Sequence, residues 1–291
     1  MKEEMKKMKK VKLFYADNNN MGDELSKIIV EELFHLKVEK KITVSSDLFA
    51  IGSILDGTVF NRKTPLQSLI KLILGRPNRT PVYIWGSGFI TKETEGPFFY
   101  RKNIIFKAVR GKLTQEKAEE ILGKEIHPVY GDAGILASEL VSTELPIEKK
   151  YKWGIIPHFV DKGHSAVEKL SENLENSTVI DVGSHPKDVI REIAQCEYIL
   201  SSSMHGLIIA DSFNIPNHHI VISDKVTGDN FKFRDYYSAF GLQHNFTNIV
   251  EKEWSIFSDE FMKETYKVTE DMVKKMKEDM ENSFPKELLN D

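Results

Sequence analysis

The chain has 291 residues, and its 40 basic against 44 acidic side chains leave a net charge of −4, which argues against a dedicated nucleic-acid binder. A hydrophobic share of 41% with 29% charged residues supports a packed core over about two domains. The single cysteine, Cys196, excludes an internal disulfide and a cysteine-based zinc site, and fits a reducing, intracellular compartment.

The lysine-rich start, Met1 to Lys10, lacks the apolar run of a signal peptide. Val11 to Tyr15 reads as a strand, followed by a polar turn through Asn18, Asn20, Gly22 and Asp23. Leu25, Ile28, Ile29 and Leu33 then recur at helical spacing. Strands are expected at Ile42 to Val44 and Phe49 to Ile51. Leu66 to Leu74 is apolar but interrupted by Gln67, Ser68 and Lys71, and far shorter than the ~20 residues that span a bilayer. The expected location is therefore cytoplasmic, with at most peripheral contact at the inner face of a membrane. Further strands are expected at Val82 to Trp85, Ile104 to Val109 and Val129 to Asp132, with a helix from Thr114 to Leu122 stopped by Gly123. The polar stretch Val141 to Lys150 reads as a linker.

The alternation restarts beyond it. Strands are expected at Trp153 to Ile156, Thr178 to Asp181, Tyr198 to Leu200 and Ile220 to Ile222. Helices are expected at Ser165 to Leu174, Pro186 to Cys196 and Gly206 to Phe213. Two β-α-β series imply two parallel sheets with helices on their faces. The division falls at 1–145 and 146–291. Phe257 to Met280 is helical by pattern and long enough to pack back across the N-terminal half.

Five segments at expected strand ends carry chemistry-bearing residues. Ser201-Ser202-Ser203-Met204-His205-Gly206 joins a strand to an apolar helix, where hydroxyls and open backbone N–H groups make an anion site; a simple helix cap is the plain alternative. Arg110, in Val109-Arg110-Gly111, suits a carboxylate or phosphate ligand; a structural pair with a carboxylate of the protein is the plain alternative. Gly86-Ser87-Gly88 permits close backbone approach but lacks the third glycine of a dinucleotide fingerprint. In Phe231-Lys232-Phe233-Arg234-Asp235-Tyr236-Tyr237, cations alternate with aromatics, as in a basic lid or a solvated surface. His158 and Lys162 follow another strand. No histidine pair has zincin spacing and no carboxylate run forms a calcium loop, so no metal is expected.

Taken in order, Asn20-Met21-Gly22-Asp23, Trp85-Gly86-Ser87-Gly88, Val109-Arg110-Gly111, Gly131-Asp132, Ile156-Pro157-His158, the serine block with Met204-His205-Gly206, and the Phe231 to Tyr237 segment resemble the polysaccharide pyruvyl transferases, in particular their exopolysaccharide and capsule branch. The resemblance implies an α/β fold of two Rossmann-like domains facing across a cleft, as in GT-B glycosyltransferases. It implies transfer of a pyruvyl unit from phosphoenolpyruvate to a glycan acceptor, free or lipid-linked, giving a pyruvate ketal and phosphate, with no cofactor, metal or nucleic-acid partner. His205 would be the catalytic acid. Arg110, Ser202 and Ser203 would bind the donor. Many family members carry arginine where this chain has Ser203, a place that Lys232 or Arg234 would fill. Asp23, Gly86, Ser87, Gly88 and His158 would face the acceptor or the cleft, and Asp23, Asp132 and His158 are the candidate bases. A nucleotide-sugar glycosyltransferase of the same architecture, and an inactive anion- or glycan-binding relative, are the competing expectations.

Overall fold

A computed structural model describes residues 8–16, 21–75, 80–93, 96–144, 146–250 and 254–289, apart from the side chains of Asp23 and Glu144. The first series comprises β1 (Lys10–Phe14), α1 (Met21–Leu33), β2 (Lys37–Lys40), β3 (Leu48–Phe49), α2 (Pro65–Gly75), β4 (Val82–Trp85), β5 (Ile104–Val109), α3 (Lys112–Leu122) and β6 (Val129–Tyr130). The second comprises β7 (Tyr151–Ile156), α4 (Ser165–Asn173), β8 (Ser177–Val179), α5 (Pro186–Ala194), β9 (Cys196–Ser201), α6 (Met204–Ser212), β10 (Asn217–Val221), α7 (Phe231–Ala239) and β11 (Phe246–Asn248). Then come α8 (Asp259–Thr265) and α9 (Glu270–Ser283).

All strand pairs within the two sheets are parallel. The first sheet runs β2-β1-β3-β4-β5-β6 and the second β11-β10-β9-β7-β8. Each sheet therefore starts one strand in from an edge, adds that edge strand, and then winds the other way. The direction reverses between β1 and β3 in one sheet and between β7 and β9 in the other. In open α/β sheets the crevice beyond the carboxyl ends of such a strand pair is where ligands bind. The central strands are apolar because both faces are covered: all four residues of β4 are buried. Helix α6 is buried along its whole length, with His205, Asp211 and Ser212 set among its apolar residues.

One apolar core runs through both series. Leu25 and Ile29 of α1, Leu136 and Val141 of the 3₁₀ segment Ala133–Glu144, Ile190 of α5, and Leu207 and Ile208 of α6 belong to it. The expected linker is shorter than the sequence suggests: helical turns continue to Glu144, Val141 is fully buried, and β7 begins at Tyr151. Two other expectations change. Ile42 to Val44 forms a turn in which the backbone N–H of Ser45 and the Ser46 hydroxyl both donate to the Ile42 carbonyl. The strand is β2, a short charged edge strand whose Lys and Glu side chains mask it in the sequence. The C-terminal helical stretch is broken at Tyr266, whose hydroxyl donates to the buried Asp211 carboxylate. Beyond the break α9 returns to the first sheet: Trp85 Nε1 donates to the Met280 carbonyl (2.9 Å), and Phe284 stacks on Phe34 with ring centroids 3.7 Å apart.

Candidate active site

The two reversal points meet at one cavity of about 200 Å³. From the first sheet it takes Ala16, after β1, and Gly52, Ser53 and Ile54, after β3. From the second it takes His158, Phe159 and Val160, after β7, and Ser203, Met204 and His205, after β9. Ile90, beyond β4, Lys225 and Thr227, in the loop after β10, and Lys232 on α7 complete the wall.

His205 stands in the first turn of α6 and is 8% exposed. Its ring lies against Gly22 of α1: a Cβ there would sit 2.0 Å from Nδ1. The Asn-Met-Gly-Asp motif therefore supplies, at Gly22, the space for the imidazole. The buried Nε2 has no hydrogen-bond partner among the described residues. Burial first, then the charges of Lys232 and Arg110, push the imidazole down to about 3, so it is neutral at pH 7 in the unliganded protein.

Lys232 is 9% exposed, and its ammonium makes no hydrogen bond or ion pair among the described residues. Burial, with Arg110 adding to it, lowers its pKa to about 8. A buried cation without a partner is costly, and a ligand anion offsets that cost. Arg234, two residues on, faces outward: its side chain is 43% exposed and lies 3.5 Å from exposed Asp229. The segment is thus a helix that turns Lys232 to the cavity and Arg234 to solvent.

Arg110 lies behind the cavity wall, fully buried. Nε donates to Asp235 Oδ2 (2.9 Å), Nη1 to the Ser53 hydroxyl (2.6 Å) and Nη2 to the Phe89 carbonyl. Asp235 also accepts from the backbone N–H and the hydroxyl of Thr114. The structural pair is therefore what the side chain makes, and it joins two motifs that lie 125 residues apart. Their glycines belong to the same joint. A Cβ at Gly111 would meet the Asp235 carbonyl at 1.8 Å, and one at Gly88 would meet the Arg110 guanidinium at 2.5 Å. Gly86, at φ +94°, is crowded by the Ala133 backbone, and the Ser87 hydroxyl donates to the Ala50 carbonyl. Gly86, Ser87 and Gly88 shape the wall from behind and do not line the cavity.

Ser202 is also committed internally. Its hydroxyl donates to Asp161 Oδ2 (3.1 Å) and accepts from the His158 N–H (2.8 Å). Asp161 accepts in addition from Ser223, so three strand-end loops are tied together. Ser203 occupies the cap position of α6 without a side-chain capping bond, and lines the cavity. His158 lines it too; burial and then Lys232 push it down to about 4, leaving an unprotonated imidazole. Asp132 is fully buried away from the cavity, with Oδ2 unpartnered among the described residues and its pKa pushed up to about 7 by burial. The Asp23 side chain lies outside the described residues.

Sequence reasoning missed Ser53, Lys225 and Thr227. All three sit just beyond strands, in positions that the carboxyl-end rule marks. A neighbouring apolar hollow of about 280 Å³ shares Phe159 with the cavity and is walled by Pro157, His164, Val167, Val179 and the Lys162–Asp181 ion pair.

The family model for polysaccharide pyruvyl transferases matches residues 5–224. An uncharacterized protein of Acanthamoeba polyphaga mimivirus is 27% identical over 234 residues, covering 80% of this chain and 75% of that protein. The succinoglycan biosynthesis protein ExoV of Rhizobium meliloti is 29% identical over 237 residues, 79% of this chain but 64% of that protein, so the chain spans less than two thirds of it. A functionally uncharacterized protein from Klebsiella pneumoniae, solved as a crystal structure, aligns with a TM-score of 0.46 at 13% identity over 82% of this chain and 92% of its own. With the match extending from before β1 to beyond β10, the chain belongs to the polysaccharide pyruvyl transferase family.

Proposed function

We propose that the chain transfers the pyruvyl unit of phosphoenolpyruvate to two hydroxyls of a sugar, forming a cyclic ketal and releasing phosphate. The observation that carries this reading is Lys232, a buried cation with no hydrogen bond or ion pair among the described residues, its ammonium 5.3 Å from the Phe233 ring centroid, on the wall of the small cavity that His205 also lines. A volume of about 200 Å³ lies below the ≈ 300–1,000 Å³ of pockets for drug-sized ligands and suits a three-carbon donor better than a nucleotide sugar.

Lys232 and the open N–H groups at the start of α6 hold the donor's phosphate and carboxylate. The donor's negative charge raises the pKa of His205, which takes up a proton on binding. The imidazolium protonates the methylene carbon, and C2 gains oxocarbenium character. A sugar hydroxyl adds at C2 and gives up its proton to solvent, and the bond from C2 to the phosphate oxygen breaks. The second hydroxyl closes the ring, and its proton leaves with the phosphate. Arg110 acts from behind: through Asp235 it fixes α7 and with it Lys232. The apolar hollow beside Phe159 is the acceptor's place, because an exposed aromatic face suits the C–H face of a sugar.

Thermal shift with phosphoenolpyruvate and with nucleotide sugars is the test, since only a ligand that binds the folded state raises Tm. Phosphoenolpyruvate is expected to raise it and nucleotide sugars to leave it unchanged. The reverse result would assign the cavity to a glycosyltransferase. With an acceptor glycan, His205→Ala is expected to lower phosphate release by about 10²–10⁴-fold, the usual worth of a positioned acid.

A further inference from the structure

Helix α2 is built inside out. Among its described side chains only Ser68 is buried, its hydroxyl donating to the Asn61 carbonyl and accepting from the Tyr100 hydroxyl. The large apolar residues face outward: Leu66 is 72% exposed, Leu69 48%, Ile70 50%, Ile73 56% and Leu74 55%. About half or more of each of these side chains stays in solvent after folding. A contiguous apolar face of this kind marks an interaction surface.

The charge of the sequence on either side of it identifies the partner. Between Asp56 and Glu93 the chain has no acidic residue, yet it carries Arg62, Lys63, Lys71, Arg76, Arg79 and Lys92, in a protein whose net charge is −4. Arg62 and Lys63 are exposed just before the helix, and Lys71 lies on it, its ammonium 5.6 Å from the Tyr100 ring centroid. Two copies meeting through this face would bring like charges together. An apolar stripe flanked by cations, on a helix of 11 residues that is too short to cross a bilayer, has the composition of a helix that lies in a membrane interface.

We propose that α2 is a docking helix for an anionic lipid bilayer, sinking its leucines and isoleucines at the level of the headgroups with the cations against the lipid phosphates. The inference stands independently of the reaction, because it is read from binding alone.

Co-sedimentation with vesicles tests it in the absence of any substrate. Vesicles of phosphatidylcholine with about a third phosphatidylglycerol are expected to bind the protein about tenfold more tightly than pure phosphatidylcholine, with less binding as salt rises. The double variant Leu69→Glu/Ile73→Glu, at exposed positions, should keep its Tm and lose at least about tenfold in vesicle affinity. The triple variant Arg62→Gln/Lys63→Gln/Lys71→Gln should lose the preference for anionic lipid while retaining weak binding to both vesicle types. Failure of the unmodified chain to bind anionic vesicles overturns the proposal. So does a dimer in sedimentation velocity that Leu69→Glu dissociates without any accompanying vesicle binding, which would assign the face to a second copy. If the double variant unfolds, the triple variant, which leaves every apolar residue in place, decides: unchanged lipid preference overturns the proposal.

Discussion

Lys232 and His205 lie on one cavity wall with opposite problems. One is a cation short of an anion, the other an imidazole too deeply buried to hold a proton. A doubly charged ligand resolves both, and this gives two measurable consequences. At pH 7 Lys232 is already protonated, so the proton taken up on donor binding goes to His205. Calorimetry in buffers of different ionisation enthalpy is expected to show uptake of about one proton, abolished in His205→Gln; no uptake in the unmodified protein would remove the imidazole from the proposed role. As pH rises through about 8, Lys232 loses its charge, and donor affinity is expected to fall. Lys232→Gln should weaken the donor and flatten that pH dependence, leaving Tm unchanged or raised, because the variant no longer buries a cation that has no hydrogen bond or ion pair among the described residues. The sequence displayed His205 and Lys232 through their neighbours, a strand before one and alternating aromatics around the other. It left Arg110 open between donor and protein carboxylate, because the decisive partner, Asp235, is 125 residues away and only the folded chain brings the two together.

At the level of elements, α7 is held by the Arg110–Asp235–Thr114 joint, and this is where the site is most exposed to mutation. Removing one partner of a buried pair leaves an uncompensated charge, so Asp235→Ala is expected to cost about 3–5 kcal/mol in urea unfolding. Arg110→Lys keeps the charge and loses the planar fork that serves Ser53, Phe89 and Asp235 together, so it should destabilise as well and raise KM for the donor through α7. An equal stability of Arg110→Lys and the unmodified chain would show that the fork does not position the helix. Elements were legible in the sequence where one physical signal dominated: apolar runs for β4 and β9, and left-handed Gly123 at the end of α3. They were obscured where tertiary contacts decide. β2 is charged because it is an edge, β11 has three residues, and Phe231–Ala239 becomes a helix because Phe233 and Tyr236 have a core to enter. Helix α2 shows an apolar pattern without a core, which periodicity alone cannot distinguish from a buried helix.

Across the whole molecule, the histidines set the response to acid. His158, His205, His218 and His244 are each held at about 3 to 4 by burial, and His219 is held well below its ordinary value. In the unfolded chain all five regain values near 6.5. Between about pH 4 and 6.5 the unfolded state therefore binds protons that the folded state refuses, and stability falls as pH falls through that window. Two buried carboxyls act in the opposite sense. Asp132, at about 7, and Asp211, at about 6, keep protons in the folded state that the unfolded chain releases above pH 3.8. Five sites outweigh two, so the net slope keeps the sign of the histidines. A single net proton over one pH unit is worth about 1.4 kcal/mol, or roughly 2–4 °C in Tm for a chain of this length. The expected result is a Tm that drops steadily from pH 6.5 to 4.5. His244→Gln, which removes one of the five, should flatten that drop while retaining a side chain able to meet His219, whose Nδ1 lies 2.8 Å from His244 Nε2. A Tm that is level or rising over the same interval would mean that the carboxyls dominate. The site and the fold are linked here, since His205 belongs to the set: a bound anion that lets it keep its proton should lessen the acid sensitivity, and the liganded protein is expected to show a shallower slope than the free one.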